Sequence, residues 1–191
     1  MEFEQLSIPD VVLIKPNIFE DERGHFFESY HSQKIYQSIT QINSTDWPPN
    51  HETFFQENIA FNKGKNVVRG LHFQKTQAQG KLVRVVSGSV LDVVVDNRRG
   101  SSTYGEWLSV ELNDENNYSL WIPPRLAHGY RTLSKKSTMV YKCTNLYNPI
   151  DEGGIHPFDP HLNIDWGIDE EDALLSEKDT QWDLFQQQEG I

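Results

Sequence analysis

The stretch that decides the fold is "KLVRVVSGSVLDVVVDNRRG", residues 81–100. Two β-branched runs flank Ser87-Gly88, which reads as a hairpin, and the second run stops at the turn cluster Asp96–Gly100. On the C-terminal side, "EWLSVELND" (106–114) places Leu108, Val110 and Leu112 on one face and Ser109, Glu111 and Asn113 on the other. "YSLWIPPRLAHGY" (118–130) carries an apolar run into a Pro-Pro corner. "STMVYKCTNLYNP" (137–149) alternates again, with Met139, Tyr141 and Cys143 on one face and Val140, Lys142 and Thr144 opposite. Short alternating strands with Gly, Pro and Asn turns between them, and no long helical periodicity, predict an antiparallel sandwich or barrel. Around this core, "ESYHSQKIYQSI" (28–39) fits a short helix and "DEEDALLSEKDTQWDLF" (169–185) one or two helical turns. "NSTDWPPNHET" (43–53) reads as a loop or insertion, and "QQQEGI" (186–191) as a frayed polar tail.

Length and composition narrow the function classes. The chain has 191 residues, which favours one domain with a substantial core. Its single cysteine, Cys143, precludes an internal disulfide and suits a reducing compartment. "MEFEQLSIPD" lacks the apolar stretch of a secretory signal, and no run is long enough to span a bilayer. The expectation is a soluble cytoplasmic protein. A formal net charge of −11 argues against non-specific nucleic-acid binding, though a few clustered cations could still hold one small anion. Neither G-x-G-x-x-G nor G-x-x-x-x-G-K-[ST] occurs, so dinucleotide and P-loop chemistry have no support.

Several residues are costly where they stand. "NVVRGLHFQ" (66–74) starts as a buried strand and then spends positions on Arg69, Gly70 and His72. His72 and His128 each lie close to a glycine, Gly70 and Gly129, and strand glycines often mark close approach of a ligand or another backbone. A strand histidine is nevertheless more often a satisfied structural residue than a catalyst. Tyr141 could be a core tyrosine with a bonded hydroxyl, Lys81 a solvated edge lysine and Arg23 a turn residue. Asp179 stands three residues after Ser176, the spacing of a helix cap. A metal site would need converging ligands, but Gln74 stands where an H-x-H pair would put its second histidine.

The joint pattern is more specific than its parts. In order along the chain, "DERGHFFES" (21–29), "FQEN" (55–58), "VRGLHFQ" (68–74), "QGKLVRVVSGSVLDVVVDNRRGSSTYGEW" (79–107), "LWIPPRLAHGY" (120–130), "VYKCTNLYNP" (140–149), "DPHLNIDW" (159–166) and "LSEKD" (175–179) are the segments that carry a resemblance. With them the sequence resembles the dTDP-4-dehydrorhamnose 3,5-epimerase family. The resemblance implies an all-β, cupin-like antiparallel jelly-roll barrel with short peripheral helices, a cofactor-free reaction and a homodimer. The whole chain, 1–191, would be a single epimerase domain, with the barrel at about 50–150 and the segment 151–191 packed on it. His72 would be the general base, paired with Asp179; Tyr141 would be the acid, and Lys81 would steady an enolate oxygen. Arg69, His128, Gln56, Asn58, Glu152 and Lys178 match ligand-binding positions, and Arg23 and Glu28 match positions that reach the partner subunit's site.

These residue types suit the chemistry implied. Hydrogens on the carbons flanking a ketone are acidic because the carbanion delocalises onto the carbonyl oxygen, so a ketone at sugar C4 activates both C3 and C5. A histidine titrates in the right range to remove such a proton, a carboxylate behind it fixes its tautomer, and a lysine stabilises the developing oxyanion. Inversion needs a donor on the opposite face, which a tyrosine hydroxyl could supply. The expected substrate is a dTDP-linked 4-keto-6-deoxyhexose. Alternatives are inversion at C3 or C5 alone, a metal-dependent cupin and a non-catalytic sugar-nucleotide binder. Departures from the family pattern are the insertion "WPPNHET" (47–53), Ile59-Ala60 for His-Ser, Arg131 and Thr132 at usually apolar positions, and Gly153 where arginine is common. One conflict is geometric: strict alternation puts Arg69 and His72 on opposite faces, so either Gly70 introduces a bulge or Arg69 reaches around an edge.

Overall fold

A computed structural model describes residues 1–42 and 54–185; the segments 43–53 and 186–191, predicted as an insertion and a frayed tail, lie outside the described residues. The chain opens with β1 (Glu2–Gln5), β2 (Val12–Lys15), the small hairpin β3 (Phe19–Asp21) and β4 (Gly24–Phe26), and helix α1 (Ser32–Ile42). Then come β5 (Gln56–Lys63), β6 (Val68–Gln74), β7 (Lys81–Ser87), β8 (Ser89–Asp96), β9 (Trp107–Asn113), β10 (Ser119–Ile122), β11 (Leu126–Thr132), β12 (Lys136–Cys143) and β13 (Glu152–Gly154). Two 3₁₀ turns, Glu170–Asp172 and Asp179–Gln181, supply the short C-terminal helical turns.

The strands form a six-stranded sheet, β1-β2-β10-β7-β12-β5, facing a five-stranded one, β13-β6-β11-β8-β9. From β5 to β8 the chain changes sheet at every connection, and it does so again from β9 to β12. This crossing is the jelly-roll connectivity. It corrects the hairpin expected at Ser87-Gly88, because β7 and β8 belong to different sheets. The tight Ser-Gly signal is real, but it serves a corner: Gly88 has φ +77° and its added Cβ would lie 2.2 Å from the Lys136 carbonyl oxygen. The Pro123-Pro124 corner makes the same kind of passage, from β10 to β11.

The hydrophobic pattern explains the layers. Val83, Val85, Val90, Val94, Leu108, Leu112, Leu120, Ile122 and Met139 fill the space between the sheets. Strand β8 is also covered outside: Val93 and Val95 pack with Ile155, Leu162, Ile164, Trp166 and Phe185 of the C-terminal segment. A strand buried on both faces reads as a near-continuous apolar run, which is why "VLDVVV" hardly alternates. Helix α1 seals the other sheet, setting Ile35 and Ile39 against Val12, Ile14, Leu82 and Trp121. At 25 cal/mol per Å² of apolar surface, each fully buried Val, Leu or Ile contributes about 1.5–3 kcal/mol.

Candidate active site

The conflict between Arg69 and His72 is resolved by a bulge. In the β6–β11 ladder His72 pairs with His128 and Arg69 with Tyr130, so Gly70 and Leu71 together oppose Gly129 alone. The extra residue restores parity and turns Arg69, His72, His128 and Tyr130 to the inner face. Gly70 has φ +124°, and a Cβ there would lie 2.5 Å from the Gly129 Cα. The glycines beside the two histidines thus let β6 and β11 interlock.

The bulge helps to line a cavity of about 650 Å³ between the sheets. Ten of the twelve predicted site residues line it: His72, Tyr141, Asp179, Lys81, Gln56, Asn58, Arg69, His128, Glu152 and Lys178. Arg23 and Glu28 do not. Arg23 pairs with Asp21 at 2.6 Å on the exposed β3–β4 hairpin, and Glu28 pairs with Lys34 at 2.7 Å.

The wall formed by the five-stranded sheet is rich in imidazole–carboxylate pairs. His72 Nε2 lies 2.6 Å from Asp179 Oδ1. Burial by itself would raise the Asp179 carboxyl, but hydrogen bonds, led by the one from His72, hold it below the ordinary carboxylate range. The spacing of Ser176 and Asp179 marks a turn and not a helix cap, since Lys178 is the N-cap of the 3₁₀ turn: the Asp179 N–H donates to Ser176 Oγ at 3.2 Å. The backbone of Asp179 closes the turn while its side chain reaches the histidine. His128 has a carboxylate of its own, Asp92, fully buried, with oxygens 3.0 and 2.9 Å from Nε2. At the rim, Glu152 accepts from Lys178 Nζ and Tyr147 Oη. Those bonds outweigh desolvation and keep its carboxyl low.

The six-stranded sheet presents a different wall. Alternation on β12 puts Met139, Tyr141 and Cys143 inward, opposite Val85, Val83 and Lys81 of β7. Burial, with smaller contributions from Cys143 and Tyr130, pushes the Tyr141 phenol up to about 12, so its proton stays in place at neutral pH. Desolvation lowers the Lys81 ammonium, whose Nζ donates to the His72 carbonyl at 3.4 Å and so bridges the two walls. On β5, Gln56 Nε2 donates to Asn58 Oδ1 at 3.0 Å and Gln56 Oε1 accepts from the Tyr147 N–H at 2.8 Å.

Four contributors carried no signal in the sequence. Asp92 sits inside a valine run, Tyr147 follows an unremarkable turn, and Asn62 looks like one more polar residue of an edge strand. Trp182, edge-on to His72 with ring centroids 6.1 Å apart, lies in a segment that reads only as a helical turn. Of the departures, Thr132 has a structural reason: its Oγ1 accepts from the Val67 N–H at 2.9 Å and donates to the Gly64 carbonyl at 2.8 Å, closing the β5–β6 connection. Among the described residues, no three His, Cys, Asp or Glu side chains gather as a metal-ligand set.

Comparison with known proteins identifies the family. The family described as dTDP-4-dehydrorhamnose 3,5-epimerase matches residues 5–187. The dTDP-4-dehydrorhamnose 3,5-epimerase of Pseudomonas aeruginosa is 42% identical over 185 residues, 97% of this chain and 96% of the relative. A crystal structure of the Legionella pneumophila enzyme in complex with dTDP-4-keto-L-rhamnose superposes with a TM-score of 0.86 at 40% identity, covering 97% of this chain and 93% of that one. A 3′-monoepimerase from Streptomyces bikiniensis in complex with dTDP-quinovose gives 0.84 at 30% identity, covering 95% and 86%. With a matching model over nearly its full length and relatives of this closeness, the chain belongs to the dTDP-4-dehydrorhamnose 3,5-epimerase family.

Proposed function

We propose that this protein inverts C3 and C5 of a dTDP-4-keto-6-deoxyhexose by proton abstraction and redelivery, without a cofactor. The observation that carries the reading is the division of labour across one cavity: a histidine backed by a buried carboxylate on one sheet and a protonated tyrosine on the other. His72, held by Asp179, removes the proton α to the ketone. The electron pair moves onto the C4 oxygen, where Lys81 stabilises the enolate. Tyr141 delivers a proton to the opposite face of the carbon, which inverts it. Arg69 and Lys178 hold the diphosphate and nucleotide portion, and His128, Gln56, Asn58 and Glu152 orient the ligand. Dispensing with metal and organic cofactors follows from the acidity that the ketone itself confers.

The protein works as a homodimer and as a single epimerase domain in the cytoplasm. Supporting the dimer, Ile59 and Phe61 of edge strand β5 are 56% and 71% exposed, and Phe19 and Phe26 of the β3–β4 hairpin 65% and 73%. The same hairpin carries Arg23 away from its own cavity, which suits a residue serving the neighbouring site, as does the position of Glu28. The C-terminal segment shares a core with β6 and β8, which supports one folding unit.

Incubating dTDP-4-keto-6-deoxyglucose with the enzyme in deuterated water tests the reaction by NMR. Deuterium at both C3 and C5, with a product that a matching reductase converts to dTDP-rhamnose, is the expected outcome. The second reading, inversion at one carbon, draws on the likeness to the Streptomyces monoepimerase and predicts label at that carbon alone. Binding without any exchange would remove the catalytic reading.

A further inference from the structure

Asn62 lies on β5, buried at 4% exposure, at the seam where the two sheets meet. Its Oδ1 accepts from Arg69 Nε at 3.0 Å and from Tyr130 Oη at 3.2 Å, both on the opposing sheet. Its Nδ2 donates to Ser137 Oγ at 3.1 Å, on the neighbouring strand β12. That arrangement fixes the orientation of the amide, since a flip would turn Nδ2 against the Arg69 Nε–H, which can only donate.

We propose that Asn62 is a positioning residue that presets the Arg69 guanidinium for the anionic part of the substrate. The inference rests on reading Arg69 as a diphosphate contact. Among the described residues Arg69 has no carboxylate ion pair, and its side chain lies exposed on the cavity wall. A guanidinium grips an anion either side-on, through Nε and one Nη, or end-on, through both Nη groups. Occupation of Nε by Asn62 removes the first mode and leaves the end-on pair for the ligand. The long arginine stem is also ordered before the ligand arrives, so less freedom is lost on binding. Asn62 touches neither sugar nor reacting carbon in this account, so its removal should act on affinity and spare turnover.

The test is calorimetric titration of dTDP into wild type, Asn62→Ser, Asn62→Leu, Arg69→Met and the double variant Asn62→Ser/Arg69→Met, with KM and kcat for each. Asn62→Leu removes the acceptor but leaves buried donors unpaired. Asn62→Ser keeps a polar partner for Ser137 while falling short of Arg69, and it carries the test should the leucine variant not fold. Each single Asn62 variant should raise the Kd for dTDP and the KM about five- to tenfold and leave kcat within about twofold. In the Arg69→Met background, Asn62→Ser should add nothing, as expected for a residue acting through Arg69. A wild-type Kd in Asn62→Ser, or the same increase in both backgrounds, would overturn the proposal. An unchanged Kd in Arg69→Met would remove the diphosphate assignment of Arg69 itself, and the proposal with it.

Discussion

The two walls of the cavity solve opposite electrostatic problems with similar backbones. On the five-stranded sheet, each imidazole is matched by a carboxylate, Asp179 for His72 and Asp92 for His128. On the six-stranded sheet, Tyr141 and Lys81 face the cavity without a carboxylate bond among the described residues, and burial dominates both. Hydrogen bonding holds the Asp179 carboxyl low, whereas desolvation favours neutral forms, raising the Tyr141 phenol and lowering the Lys81 ammonium. In the proposed mechanism the first wall supplies the base and the second the acid. On that proposal, removal on one face and delivery on the other correspond to which sheet carries which residues.

Substitutions can break this contrast one wall at a time. The largest effect should come from His72→Ala, which removes the proposed base and should lower kcat about 10³-fold while dTDP binding persists. Asp179→Asn leaves the ring without its charged partner and should cost about 10²-fold or more in kcat at constant fold. Tyr141→Phe should reduce inversion about 10²-fold yet retain solvent exchange, because abstraction and return can then use one face. Lys81→Met sharpens the comparison differently. Burial lowers the lysine pKa from 10.5, so the charged group costs stability in the folded state at neutral pH. The methionine variant should lose activity and yet melt at a higher temperature than wild type by scanning calorimetry.

The smallest effect concerns pH. The folded Asp179 carboxyl is held below its ordinary value of 3.8, so its contribution to stability is present above that value and disappears as pH falls through the lowered one. The gap in Tm between wild type and Asp179→Asn should therefore be full at pH 6 and shrink below about pH 4. A gap that widened on acidification would contradict the assigned direction.

Much of this architecture was legible because period-2 patterns and turn residues are local. The inward faces of β9 and β12 follow directly from alternation, and α1 from the sequence around Ile35 and Ile39. The hairpin at Ser87-Gly88 was misread for a physical reason: a tight turn reports that the chain reverses, not which strand it then pairs with. The bulge at Gly70 was visible only as a contradiction between Arg69 and His72, since register depends on the partner strand. Asp92 carried no signal because its partner His128 lies 36 residues away along the chain, and Asn62 because its contacts to Arg69 and Tyr130 depend on how the two sheets pack. The chemistry proposed for His72, Tyr141, Lys81 and Asp179 came only from their joint resemblance to a family, each having an ordinary structural explanation alone.

The most direct test compares deuterium wash-in with inversion for wild type, His72→Ala and Tyr141→Phe, using dTDP-4-keto-6-deoxyglucose and NMR. Wild type should label and invert, Tyr141→Phe should label without inverting, and His72→Ala should do neither. Wild-type exchange in His72→Ala, or wild-type inversion in Tyr141→Phe, would contradict the assignment of base and acid to opposite sheets.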